Sequence, residues 1–422
     1  MVASPSTFTS VDRMANVLLG WEMGAGLGHA GRLKPLAVEL ARRGHQPAMA
    51  LRDLVHPRRL LADLDCPKLQ TPAWLHRMVG APQIPASLAE ILMGYAYMDV
   101  NSLEGLVLGW RDLMRVTRAD LVVTDYAPTA TIAARMLDIR VVAVGPGFWI
   151  PPAEGPLPDI RDWAPAPAKR LQESEATILR TANEVLARHR GRPFTRGSEL
   201  FRGDRALLCA WPEFDHYQRK QLPEGERWYG PNYLPGSGVE PDFPPGEGPK
   251  AFAYVKSGFS DHPAVLQALA AAGCRTLCYL PDVATGKKPP VPHPSIRYAT
   301  GPVNLAKAFD GAALCVCHAG GATMVQALLA GVPCLLLPTQ NEQFLLARCV
   351  ERTGACVNAG ARPAPVDYRA IIAELSADGR AREAARAFAL RHRDFSHEQQ
   401  TRDLVDAIEQ EAGVRSQESV DR

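Results

Sequence analysis

A chain of 422 residues, 46% hydrophobic and 22% charged, exceeds what one hydrophobic core usually organises, so two domains of ordinary globular composition are expected. With 47 Lys and Arg against 45 Asp and Glu, the net charge of +2 is too balanced for a nucleic-acid footprint or a face held to anionic lipid, which leaves small molecules as the expected partners. Nine cysteines lack the paired spacing of a zinc site and read as reduced thiols, hence a cytoplasmic protein.

The opening MVASPSTFTSVDRMA has no apolar stretch long enough for a signal peptide and reads as a frayed tail. NVLLGW (16–21) reads as a buried strand, followed by the glycine-rich loop MGAGLGHAG (23–31) that contains His29. RLKPLAVELARRG (32–44) reads as a helix with Gly44 in the glycine position past its end, and QPAMAL (46–51) as the next strand. DLD at 63–65 has the spacing of metal-binding DxD motifs, but it lies in a charged helical stretch and reads as solvated surface. Residues 70–116, with Trp74, Tyr95, Tyr97 and Trp110, form an expected helical insertion able to wall a pocket.

ADLVVTD (119–125) and RVVAVGPG (140–147) are apolar runs flanking the helical PTATIAARMLD (128–138). Strands apolar on both faces that alternate with helices imply an α/β fold with a parallel sheet covered on two sides. Phe148 and Trp149, after the second run, are candidate walls of an acceptor site or core residues. A Pro-rich stretch then leads to a solvated amphipathic helix over 169–190.

Six Pro and five Gly within 229–250 can keep neither a helix nor a central strand, so this segment reads as a linker between lobes 1–228 and 251–422. The α/β grammar restarts beyond it: AFAYVKS strand, PAVLQALAAAG helix, CRTLCYL strand, then LCVCH, a helix and CLLLP. Residues 312–338 carry no formal charge if His318 is neutral, yet Gly320, Gly321, Gly331 and Pro333 divide them into strand and helix lengths rather than a membrane span. Two such halves imply an interlobe cleft.

Gly26, Gly28 and Gly31 have the GxGxxG spacing of a dinucleotide loop. That loop needs its first glycine directly at the strand end, whereas residues 22–25 intervene here; Asp53 lies near the place of the ribose acid, beside Arg52. The glycines can instead let backbone pass close to a substrate while His29 points into the cleft; a histidine satisfied within a turn is the plain alternative. A basic imidazole needs an acid to fix its tautomer, and Asp125 closes a strand of the same sheet, where it could equally cap the following helix.

In the second half, CHAGGAT (317–323) follows a strand and opens a helix. Gly320 and Gly321 permit either close packing or close approach of a diphosphate to the helix amides, and His318 can add a donor; the Lys-Ser/Thr ending of a Walker A loop is absent. Glu342 and Gln343, on the loop after the next strand, offer the acceptors and donors that sugar hydroxyls require.

These motifs resemble the GT-B glycosyltransferases, in particular the UDP- and dTDP-sugar-dependent enzymes that glycosylate macrolides, flavonoids and other small aglycones. GHAGRLKPLAVELARRGH matches the family's Gly-His loop and helix, and LCVCHAGGATMVQALLAGVPCLLLPTQNEQ is similar to its donor signature. The resemblance implies two Rossmann-like lobes, His29 as general base with Asp125 as its partner, and Gly28 beside the acceptor. It places His318 and Gly320, Gly321, Ala322 and Thr323 at the diphosphate, Glu342 and Gln343 at the sugar, and Ser257 and Gly258 in a loop approaching the donor. Gln326 stands where the family carries a ribose-binding Glu, and Pro302 and Asn304 fall on the nucleobase segment without its Trp.

The expected activity is an inverting, metal-independent transfer of a sugar to a hydroxyl of a small or lipid-like acceptor, with no cofactor beyond the nucleotide sugar. A sugar-nucleotide 2-epimerase, a non-catalytic sugar-nucleotide binder and, further off, an NAD(P)-dependent oxidoreductase are the rivals. The last helix is read as crossing back to the first lobe. The acceptor, the attacking atom, the sugar and nucleotide, and assembly as a homodimer stay open.

Overall fold

A computed structural model describes residues 14 to 418 apart from Ser237 and Asp378, with side chains in the last helix as far as 413; the tail expected at the start lies almost wholly outside the described residues. The front lobe contains β1 (Asn16–Trp21), α1 (Leu27–Arg42), β2 (Gln46–Leu51), β3 (Lys68–Gln70), α2 (Leu88–Met93), α3 (Val100–Val116), β4 (Leu121–Asp125), α4 (Pro128–Met136), β5 (Arg140–Gly145), α5 (Ala168–Arg188), α6 (Glu199–Arg202) and β6 (Arg205–Leu208). The rear lobe contains β7 (Lys250–Tyr254), α7 (His262–Ala271), β8 (Arg275–Tyr279), α8 (Pro281–Ala284), β9 (Ile296–Tyr298), α9 (Leu305–Ala308), β10 (Ala312–Cys317), α10 (Gly321–Leu329), β11 (Cys334–Leu336), α11 (Asn341–Glu351), β12 (Cys356–Asn358), α12 (Tyr368–Ser376) and α13 (Arg380–Arg391). The chain ends its described part with α14 (His397–Glu418).

All strand pairings within the two sheets are parallel, in the orders β3-β2-β1-β4-β5-β6 and β12-β11-β10-β7-β8-β9. Counted from its own first strand, each sheet has the same order, so the two lobes are Rossmann-like repeats of one topology. Side chains alternate across β1: Val17, Leu19 and Trp21 pack beneath α1, while Leu18 faces the layer that holds Trp110 of α3 and Ile178 of α5. The apolar runs read from the sequence are therefore apolar on both faces because helices cover both.

Several sequence expectations are corrected. The helix expected over 32–44 starts at Leu27, since Gly26 with φ 97° can close the turn that a side chain would strain; Gly28 and His29 are thus helical rather than in a loop. Residues 71–87 contain no helix, and the helical part of the expected insertion is 88–116 with a short 3-10 turn. The helix over Ala168–Arg188 is amphipathic but not merely solvated: Ile178, Ala182, Val185 and Leu186 are buried among residues of α3 and α4. β6, unread in the sequence, completes the front sheet beside β5. The Asp63-Leu64-Asp65 stretch carries an ion pair from Lys34 to Asp63 at 2.6 Å.

The uncharged span 312–338 resolves into β10, α10 and β11, and among the described residues no helix is long and apolar enough to cross a membrane. All nine cysteines are free, eight of them buried.

α14 follows the rear lobe in sequence yet packs on the front one. Leu404, Val405, Ala407 and Ile408 share a core with Leu33, Leu36 and Leu40 of α1 and Val142 of β5. Arg43 bridges Asp406 at 2.5 Å and Glu409 at 2.7 Å, and His45 meets Glu409 at 2.9 Å. Around α11 the lobes also meet directly: Trp163 stands edge-on to Phe344 at 4.5 Å, and Arg348 pairs with Asp162 at 3.0 Å. Leu404→Ala is expected to lower the free energy of unfolding by about 2–5 kcal/mol, the range for truncating a fully buried leucine. Chemical denaturation checks this, and a loss at the surface level of about 0.5 kcal/mol contradicts the docking of α14.

Candidate active site

Parallel α/β sheets bind ligands beyond the carboxyl ends of their strands, where the strand order reverses. In the front sheet that switch point lies between β1 and β4, whose last residues Trp21 and Asp125 are in register. His29, on the first turn of α1, reaches this point. Its Nδ1 lies 3.1 Å from Asp125 Oδ1, and both side chains are buried. Asp125 does not cap α4, whose N-cap residue is Ala127.

The imidazole is clamped by rings: Trp21 stacks on it at 4.9 Å and 9°, and Trp149 meets it at 5.2 Å and 32°. Trp149, from the 3-10 turn after β5, is itself stacked on Tyr126 at 5.2 Å. Phe148 and Trp149 are both buried, with Trp149 against His29 and Phe148 against His216. Nε2 of His29 lies against Gly24, where a Cβ would stand 2.5 Å away and where φ is 78°; no other residue fits that position without displacing the ring.

A third group, missed in the sequence, completes this cluster. Arg32 lies one turn along α1 from His29; its Nε donates to Asp125 Oδ2 at 3.1 Å, and its Nη2 stands 2.9 Å from His29 Nδ1. The two contacts at Nδ1 select opposite tautomers. Donation by Nδ1–H to Asp125 leaves Nε2 a lone pair able to take a proton, whereas acceptance from Arg32 puts the proton on Nε2. Burial holds the His29 pKa below its ordinary value, with the Arg32 cation lowering it further and Asp125 opposing both. Burial alone would raise the Asp125 carboxyl, but Arg32 and His29 outweigh it and leave it below the usual carboxylate range.

Glu22, also unread, follows β1 and is buried; its Oε2 accepts the Thr129 amide at 3.0 Å and so caps α4. Burial pushes its carboxyl up to about 7.

The rear sheet has its switch point between β7 and β10, where residues 256–258 follow β7 and residues 318–323 follow β10. Gly320 is the N-cap of α10, and Gly321, Ala322 and Thr323 form its first turn, with no side-chain cap and no acidic residue in that turn. A Cβ at Gly320 or Gly321 would meet nothing within 4 Å, so neither glycine is required by packing and space lies open beside the turn. These orphan amides and the positive helix end suit an anion.

His318 is engaged differently from the expected free donor. Its Nδ1 lies 2.7 Å from the Leu337 carbonyl, and Nε2 accepts the Lys256 amide at 2.9 Å. With both ring nitrogens used, it ties the 256–258 turn, which carries exposed Ser257 and Gly258, to the end of β10.

Glu342 and Gln343 belong to the first turn of α11, not to the preceding loop, because Gln343 Oε1 accepts the Thr339 amide at 3.0 Å and closes the helix start. Gln326 donates to Ala322 O at 3.1 Å within its own helix. Asn304 caps α9, and Pro302 lies exposed beside it, where Val239 of the linker forms a bridge to Val303. The lobes meet at Glu342, whose Oε1 lies 3.7 Å from Nε2 of front-lobe His216.

No protein-family model matches the chain. It is 26% identical over 297 residues to a PGL/p-HBAD biosynthesis glycosyltransferase of Mycobacterium tuberculosis, covering 64% of this chain and 66% of that protein. It is 29% identical over 257 residues to a PGL/p-HBAD biosynthesis rhamnosyltransferase of Mycobacterium bovis, covering 56% of each. The matches thus span less than two thirds of either relative.

Among solved structures, glycosyltransferase VinC in complex with dTDP superposes with a TM-score of 0.62 at 18% identity, over 93% of this chain and 98% of that one. The calicheamicin glycosyltransferase CalG4 gives 0.67 at 18% identity, over 95% and 99%. The spinosyn rhamnosyltransferase SpnG complexed with thymidine diphosphate gives 0.63 at 18% identity, also over 95% and 99%. The fold is that of the GT-B glycosyltransferases.

Two expectations follow from the front-lobe charges. In an NMR titration the His29 ring titrates below its ordinary 6.5, and Arg32→Met moves it upward by removing the neighbouring cation; an unchanged or lowered value contradicts the assigned role of Arg32. For Glu22, a folded-state pKa raised from 4.5 to about 7 means that the native state holds the extra proton. Its contribution to stability is therefore present at acid pH and lost by about 3 kcal/mol as pH rises from about 4.5 to about 7. Glu22→Gln flattens this slope in urea denaturation across that range, and an unaltered slope contradicts the assignment.

Proposed function

We propose that the protein is an inverting glycosyltransferase that moves a sugar from a dTDP- or UDP-sugar to a hydroxyl of a small or lipid-like acceptor. The observation that carries this reading is the pairing of sites: a buried imidazole–carboxylate couple at the front switch point, and an uncapped helix start at the rear one, with rear-lobe Glu342 standing 3.7 Å from front-lobe His216. The relatives' names, and the dTDP bound in two of the structural neighbours, support the reaction class and favour dTDP as the nucleotide.

In this reading the acceptor oxygen attacks C1 of the sugar on the face opposite the nucleotide. Its proton passes to His29 Nε2 while Nδ1–H donates to Asp125, which stabilises the imidazolium as it forms. The C1–oxygen bond to the diphosphate breaks with inversion. The electron pair leaves with the diphosphate, and the amides of residues 320–323 stabilise the added charge without needing a metal or cofactor. His318 contributes by fixing the 256–258 turn beside the donor, and Glu342 accepts from a sugar hydroxyl.

A low His29 pKa keeps the base unprotonated at neutral pH, at the expense of basicity. Arg32 then has two effects: it keeps Asp125 ionised, and it must yield Nδ1 to Asp125 for proton transfer.

Incubation with nucleotide sugars and hydroxylated acceptors should release nucleoside diphosphate and yield an acceptor heavier by one sugar, read by mass spectrometry. His29→Ala should lower kcat by about 10² to 10⁴ while the Kd for dTDP changes by less than about twofold. A donor epimerised without transfer, or parallel loss of dTDP binding in the variant, contradicts the assignment.

A further inference from the structure

His216 lies outside every motif read from the sequence. It follows the 3-10 turn Pro212–Phe214 of the front lobe; its side chain is fully buried, and neither ring nitrogen has a hydrogen-bond partner. A neutral imidazole carries one donor and one acceptor, and leaving both unused in the interior is a deficit that native folds rarely keep without a reason.

The surroundings supply one. The ring stands edge-on to Phe148 at 5.6 Å, and Nε2 points at Oε1 of Glu342 across the cleft at 3.7 Å. The backbone that carries it is pinned. Arg219 donates to buried Asp215 through Nη2 at 2.7 Å and Nε at 2.9 Å, and the Asp215 carbonyl receives Cys349 Sγ of α11 at 3.4 Å. Closing the remaining gap to a normal hydrogen bond takes a carboxylate movement of about 1 Å.

On the glycosyltransferase reading above, we propose that His216 is a positioning residue of the donor-sugar subsite. Its Nε2–H holds Oε1 of Glu342 when the nucleotide sugar is bound, leaving Oε2 to accept from a sugar hydroxyl. The front lobe thereby sets how firmly an acid of the rear lobe grips the sugar. A charged acceptor oriented by a buried donor binds a hydroxyl more strongly than one free to rotate into solvent. Nucleoside diphosphate alone does not engage this pair.

The test compares wild type, His216→Leu and His216→Gln by calorimetry with dTDP and with a dTDP-hexose, alongside KM and kcat for transfer. Leu fills the space without a donor; Gln restores an N–H near the Nε2 position. The Leu variant should lose about tenfold in dTDP-hexose affinity and rise similarly in KM, with dTDP affinity changed by less than about twofold. Gln should recover most of the difference.

Equal loss for dTDP and dTDP-hexose, no loss for either, or a Gln variant no better than Leu overturns the proposal. A wild type that binds the dTDP-hexose more tightly than dTDP but transfers nothing to any acceptor refutes the glycosyltransferase reading while the binding comparison still decides the role of His216. If wild type binds neither these compounds nor UDP and a UDP-hexose in the same assay, both fall.

Discussion

One buried carboxylate sets the terms for the front half of the site. Asp125 ends β4 beneath rings and helices, where an ionised acid persists only if cations and hydrogen bonds replace water. Arg32 supplies the permanent charge, and His29 supplies a bond that strengthens when the imidazole is protonated. The same carboxylate therefore does two things: it ties α1 to the end of the sheet, and it favours the protonated form of the neighbouring ring against burial and Arg32. Trp21, Trp149 and the missing side chain of Gly24 fix that ring from the remaining directions.

The rear half depends on the opposite arrangement. There the first turn of α10 is left without a cap, while His318 beside it spends both nitrogens on neighbouring backbone. A negative ligand would complete the turn as a capping side chain does elsewhere. Both sites lie where their sheets reverse order, and α14 together with the contacts around α11 holds the two sheet edges within reach of each other. Duplicated topology thus puts the His29–Asp125 couple and the uncapped turn of α10 at the carboxyl edges of the two sheets without any long-range motif in the sequence.

Much of the fold was legible because buried parallel strands are short apolar runs and their helices are bounded by glycine and proline, as in NVLLGW, LVVTD and CVCHAGG. Asp125 was legible because it closes such a run at the sheet edge, and His29 because it sits in the glycine-rich stretch between β1 and the body of α1. Arg32 was available in principle as the residue one turn from His29, but starting the helix at residue 32 instead of Leu27 hid their shared face. Glu22 carried a signal too, being an acid directly after a buried strand. His216 carried none, since its position depends on the approach of α11 from the other lobe. The occupied nitrogens of His318 were equally invisible, because the partners are main-chain groups of separate loops.

The measurement that bears most directly on this account is a crystal structure with dTDP bound. The diphosphate is expected on the amides of residues 320–323, its terminal phosphate directed across the cleft toward the edge of His29 that faces Gly24. A diphosphate bound elsewhere, or on this turn with the His29 and Asp125 couple opening onto a different surface, would contradict it.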